Sequence, residues 1–167
     1  MKNIITASLF AAACCAGSTA SAQLKPFSFG PYVEAAFPSG AMSDAQNTGY
    51  GLGLSLDVKL PVKFNITGSA GFMHFGGKDF PGVANASYPA VNVLPVRVGA
   101  KYRFSGIFYG ALETGAVFAV DNKTAKKTSG ILAPAFGVRF VNLDFRAKYE
   151  SWFNERSFWG LQAALRF

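Results

Sequence analysis

Between Phe27 and Phe167 the sequence alternates apolar and polar residues, position by position, in eight separate stretches. The clearest is GYGLGLSLDVKL, residues 49–60. Tyr50, Leu52, Leu54, Leu56, Val58 and Leu60 alternate there with Gly51, Gly53, Ser55, Asp57 and Lys59. A period of two belongs to a β-strand with unlike faces. Three glycines at alternate positions also suit a phosphate-binding loop, but such a loop leads into a helix whose N-terminus meets the anion. Here the alternation runs on to Leu60 and turns at Pro61. The stretch reads as a strand.

Seven more stretches follow the rule: FSFGPYVEAAF (27–37), FNITGSAGF (64–72), LPVRVGAKYRF (94–104), IFYGALETGAVFAV (107–120), ILAPAFGVRF (131–140), LDFRAKYESW (143–152) and FWGLQAALRF (158–167). Each is about ten residues long, the length at which a tilted strand crosses a bilayer. The gaps alternate as well. PV, SG and VN are tight, whereas PSGAMSDAQNT, GGKDFPGVANASYPA and DNKTAKKT are long, and NER is short but polar. Short turns at one end and long loops at the other, with an even strand number, predict an all-β fold. The expected form is an eight-stranded antiparallel up-and-down transmembrane β-barrel with both termini at the turn end.

Composition separates this barrel from a soluble one. Charged residues make up 15% of the chain against about 25% in soluble domains, and aromatics another 15%. No run after the first two dozen residues reaches the eighteen or so apolar positions of a membrane helix, so a closed barrel is the remaining way to satisfy every backbone group in lipid. Phe27, Phe29, Phe37, Tyr50, Phe64, Phe72, Tyr102, Phe104, Phe108, Phe118, Phe140, Phe145, Trp159 and Phe167 share the apolar face. Many stand near strand ends, where membrane-interface girdles lie. A lipocalin-like barrel or β-sandwich with the apolar face turned inward is the competing fold.

The opening MKNIITASLFAAACCAGSTASA has the anatomy of a secretory signal. Lys2 gives the positive n-region, Ile4–Cys15 the apolar core and Ala20-Ser21-Ala22 the cleavage site. Residues 1–22 are thus expected to be a signal peptide and residues 23–167 one barrel domain. Both cysteines, Cys14 and Cys15, fall inside the signal, so the exported domain has no disulfide, thiol nucleophile or cysteine metal site.

On these stretches the chain resembles the small outer-membrane β-barrels of the OmpA/OmpX type, and the barrel domains common in Bacteroidetes. GPYVEAAFPSG, GYGLGLSLDVKL, LPVRVGAKYRF and the terminal LQAALRF carry the likeness. The resemblance implies a Gram-negative outer-membrane location, periplasmic termini and a role in envelope structure, adhesion or surface recognition. It also implies that the barrel-assembly machinery reads the terminal Phe167, although the glycine usual near the end of that signal is replaced here.

The polar face carries acids and bases together: Glu34, Asp57, Glu113, Asp144 and Glu150 against Lys59, Arg97, Lys101, Arg103, Arg139, Arg146, Lys148 and Arg166. In a narrow lumen these are expected to pair across the barrel, because an unpaired buried ion costs several kcal/mol. Eight strands leave a lumen that side chains fill, so free diffusion of solutes is not expected. The leading expectation is a monomeric, non-enzymatic barrel. A narrow channel or transporter of small apolar solutes is the alternative, and a lipid-modifying enzyme a more distant one. His74 is the only histidine, and His74-Phe75-Gly76 lacks the serine of a His-x-Ser deacylase pair. No cofactor or metal is expected. The net charge of +7 does not line one groove, which argues against nucleic acid. Lys123, Lys126 and Lys127 cluster in the third long loop, where they would meet lipopolysaccharide phosphates beside outer-membrane lipid.

Overall fold

Every strand is hydrogen-bonded on both sides, so the sheet has no edge. The computed structural model describes residues 26–61, 63–80, 87–120 and 128–167. Its strands are β1 (Phe27–Ser39), β2 (Gln46–Lys59), β3 (Phe64–Gly77), β4 (Val91–Arg103), β5 (Phe108–Ala119), β6 (Thr128–Phe140), β7 (Leu143–Trp152) and β8 (Arg156–Leu165). They pair in chain order, all antiparallel, and β8 returns to β1. Reciprocal backbone bonds complete the closure: Phe29 N donates to Phe167 O (3.2 Å) and Phe167 N to Phe29 O (2.9 Å). A closed sheet leaves no row of open N–H and C=O groups for lipid to face.

The alternation read from the sequence sorts the side chains, and the sense is inverted relative to a soluble barrel. Leu54 is 67% exposed and its neighbour Ser55 3%. Phe29, Val33, Leu52, Val98, Leu112, Phe136 and Leu161 likewise point outward, exposed, while Glu34, Asp57 and Glu150 are buried inside. A thirteen-residue strand rising about 3.3 Å per residue and tilted about 40° covers roughly 33 Å of height, more than the apolar band of such a barrel needs.

The strands are longer at the long-loop end than the alternation indicates. β1 runs to Ser39, β2 begins at Gln46, β3 continues to Gly77, β4 begins at Val91 and β6 at Thr128. The first long connection contains a short helix, α1 (Ala41–Ala45), which folds over the lumen and buries Met42. Lys78 holds it there, its Nζ donating to Ser43 O (2.6 Å) and its backbone N to Ala45 O (2.9 Å). The expected signal peptide and the Lys123, Lys126 and Lys127 cluster lie outside the described residues.

Two prolines mark gaps in the ladders. The β3–β4 register omits Gly71 and Phe72 opposite Leu94 and Pro95, and the β6–β7 register omits Ala133 and Pro134 opposite Tyr149 and Glu150. The β1–β8 register starts at Tyr32, next to Pro31. Proline has no N–H to donate, so a ladder is interrupted on the side its nitrogen faces. At the turn end, Val141-Asn142 joins β6 to β7 in two residues, with Val141 at φ 53°.

Candidate functional site

Among the described residues the ionisable side chains gather mainly in the lumen, which is divided into two halves. The half nearer the turns holds ions. The half nearer the long loops is apolar.

Glycine decides how the wall admits large side chains. Tyr32 pairs with Gly53 across β1–β2, and Gly53 with Gly71 across β2–β3. A Cβ on Gly53 would stand 2.6 Å from Gly71 Cα and 2.7 Å from Tyr32 Cε1, so the tyrosine ring occupies the volume those two positions lack. Gly51 leaves the same kind of room for Met73, whose Cγ would be 2.7 Å from an added Cβ. The glycines that resemble a nucleotide loop are the sockets of a packed interior.

At mid-height, Glu34, Glu113 and Glu150 meet Arg97, Arg146 and Lys148. Arg97 Nε lies 2.8 Å from Glu150 Oε2, and its Nη1 lies 3.6 Å from Glu34 Oε2. Lys148 Nζ bridges the same two carboxylates, 2.8 Å from Glu34 Oε1 and 2.9 Å from Glu150 Oε2. Arg146 pairs with Glu113 and donates from Nη2 to Gln162 Oε1 at 2.7 Å. Three acids against three bases leave this layer neutral. All six are buried, so neutrality is what makes the layer tolerable in a low-dielectric interior.

Below it, towards the turns, Asp57 and Asp144 are shared by Lys101, Arg139 and Arg166. Lys101 Nζ lies 2.9 Å from Asp57 Oδ2 and 3.2 Å from Asp144 Oδ2. Arg166 Nη2 is 3.2 Å from Asp144 Oδ2, and Arg139 Nη1 is 3.6 Å from Asp57 Oδ2. The Tyr109 hydroxyl donates to Asp144, and Lys101 Nζ sits 4.3 Å from the centre of the Tyr109 ring. Two acids against three bases give this layer one positive charge in excess.

The structure thus brings eleven of the thirteen charged residues read from the sequence into ion pairs and leaves two apart. Lys59 is exposed and Arg103 half-buried, and neither enters an ion pair among the described residues. Their inward parity is as the alternation gives it. They stand on the last residues of β2 and β4, however, where the lumen opens and water reaches them.

What the polar-face reading missed is the apolar half. Met73, Phe75, Val91, Val93, Val117, Ile131, Trp152 and Phe158 all point inward at the long-loop end, with Met42 of α1 above them. Phe75, Trp152 and Phe158 pack edge-on or tilted with ring centres 5.7–6.1 Å apart, a favourable aromatic geometry. The signal was present in MHF, residues 73–75, where the polar His74 lies between two apolar neighbours and so reverses the parity. His74 faces outward, exposed, its Nδ1 2.7 Å from Asn92 Oδ1. No carboxylate or serine joins it, and among the described residues no three His, Cys, Asp or Glu side chains gather to hold a metal.

A de novo designed transmembrane β-barrel superposes on this chain with a TM-score of 0.55, at 15% identity, covering 87% of this chain and 98% of that one. The fold is that of a transmembrane β-barrel. The crystal structure of Ail, the attachment invasion locus protein of Yersinia pestis, superposes with a TM-score of 0.49 at 16% identity, over 84% of this chain and 96% of Ail. No protein-family model and no curated protein matches the sequence.

Proposed function

We propose that this chain is a non-enzymatic integral protein of a Gram-negative outer membrane, a plugged barrel that displays its long loops at the cell surface. The observation that carries the reading is the filling of the lumen. The aromatic cluster of Phe75, Trp152 and Phe158 stands over two layers of ion pairs, so among the described residues the axis is filled by apolar rings at one level and paired charges at the next. In such a protein the barrel serves as an anchor, and the work of envelope structure, adhesion or surface recognition falls to the loops. Both described chain ends lie at the turn end, which this reading assigns to the periplasm. Phe167 is then available to the barrel-assembly machinery, and the barrel acts as a monomer.

Conductance in planar lipid bilayers tests the plug. The expected trace is flat, and steady unitary openings would overturn the reading in favour of a channel. Membrane fractionation followed by electrophoresis of boiled and unheated samples tests the location, with a heat-dependent mobility shift expected in the outer-membrane fraction. The loop cluster has its own test. Replacing Lys123, Lys126 and Lys127 together by glutamine is expected to weaken retention of lipopolysaccharide, and unchanged retention would remove that contact from the proposal.

A further inference from the structure

We infer that the turn-end mouth of the lumen is a phosphate-binding site built from Lys59, Lys63 and Arg103. The three cations line one pocket of about 360 Å³ together with Asn65, Leu60 and Pro61. Two strand ends and the turn between β2 and β3 hold them in place. Lys59 pairs with Asn65 across β2–β3, and Arg103 N donates to Lys63 O (2.9 Å). Asn65 is buried and contributes an amide to the wall.

The charge balance points to an anion. Among the described residues none of the three cations has an ion-pair partner. The nearest layer of the lumen offers no spare acid, because Asp57 and Asp144 already share Lys101, Arg139 and Arg166. That layer is itself one charge positive, so the field at the mouth reinforces the rim. A guanidinium supplies a planar fork of donors and each ammonium three more, a set that matches the oxygens of a phosphate group. A carboxylate would leave part of that set unused. The phosphate can be free in solution or belong to the headgroup of a membrane phospholipid, since the exposed Phe64 and Tyr102 rings pack against each other, tilted, with centres 4.8 Å apart on the outer face beside the same strand ends.

The test uses full-length refolded protein labelled with ¹⁵N in a phosphate-free non-ionic detergent. Inorganic phosphate is titrated in one arm, and short-chain phosphatidylglycerol in the other, with the side-chain resonances of Arg103 Nε and Asn65 Nδ2 as readout. Saturable shifts with inorganic phosphate assign the site to a free anion. Saturable shifts only with phosphatidylglycerol assign it to a headgroup. In either case the combined Lys59→Gln, Lys63→Gln and Arg103→Gln variant should lose at least tenfold in affinity while keeping its heat-dependent gel mobility. No saturable shift in either arm, or equal binding by the variant, overturns the inference.

Discussion

The indole of Trp152 donates a 2.8 Å hydrogen bond to Glu150 Oε1, two residues back on the same strand, while Glu150 Oε2 receives Arg97 and Lys148. This contact joins the two halves of the lumen. The ring belongs to the aromatic plug, its N–H to the ionic layer, and one carboxylate answers three donors from β4 and β7.

Removing the shared carboxylate should be far more damaging than removing a rim charge. Glu150→Ala leaves Arg97 and Lys148 with Glu34 alone, one buried positive charge in excess, and an indole N–H without its acceptor, at a cost of about 3–5 kcal/mol. Lys59→Gln, at the exposed mouth, should stay within about 0.5 kcal/mol of the parent. Urea unfolding of the two variants refolded into lipid vesicles measures both, and equal losses would refute the ionic layer as drawn.

The two tryptophans report opposite sides of the wall. Trp152 is buried in the lumen and Trp159 is exposed on the outer face. In vesicles of brominated lipid, Trp152→Phe leaves Trp159 emission strongly quenched. Trp159→Phe leaves Trp152 emission nearly unaffected. Comparable quenching in both variants would contradict the inside-out assignment.

Arginine on the outer face should be penalised by depth. Leu54 lies mid-strand, so Leu54→Arg is expected to destabilise the barrel in vesicles by about 2–4 kcal/mol. Phe140 is at the turn-end rim, where Phe140→Arg should cost about 0–1 kcal/mol. A soluble barrel would show no such gradient, and its absence would return the chain to that class.

Val141 holds φ 53° in a two-residue hairpin, a conformation that a β-branched side chain adopts only under strain. Val141→Gly relieves that strain but gives the unfolded chain more freedom, for a net gain of about 1 kcal/mol. A lower urea midpoint in the variant would show that the turn is not strained.

The fold was legible because a barrel in lipid imposes one rule, outward apolar and inward polar, along most of each strand. Leu52, Leu54 and Leu56 against Gly53, Ser55 and Asp57 state it plainly. The rule lapses where the wall passes the apolar band. From Met73 onward in β3 the inward positions become apolar and the outward ones polar, so the alternation continues with its meaning reversed. That is why strand ends near the long loops, and the aromatic plug with them, were not visible in the pattern. The parity of the charged residues was legible, but their partners were not. Glu34 of β1 meets Arg97 of β4 because the register and tilt of intervening strands bring them level, and neither quantity is written in local sequence. Lys59 and Arg103 carry the right parity at the wrong height, a distinction only strand length makes.

The division of the lumen makes the cylinder unlike at its two ends. The long-loop end encloses methionine, valine and aromatic rings, which hold together without fixed partners. The turn end encloses aspartates, lysines and arginines, each tolerable only beside an opposite charge. A substitution that changes charge is therefore far more disruptive in one half of the interior than a change of apolar shape in the other.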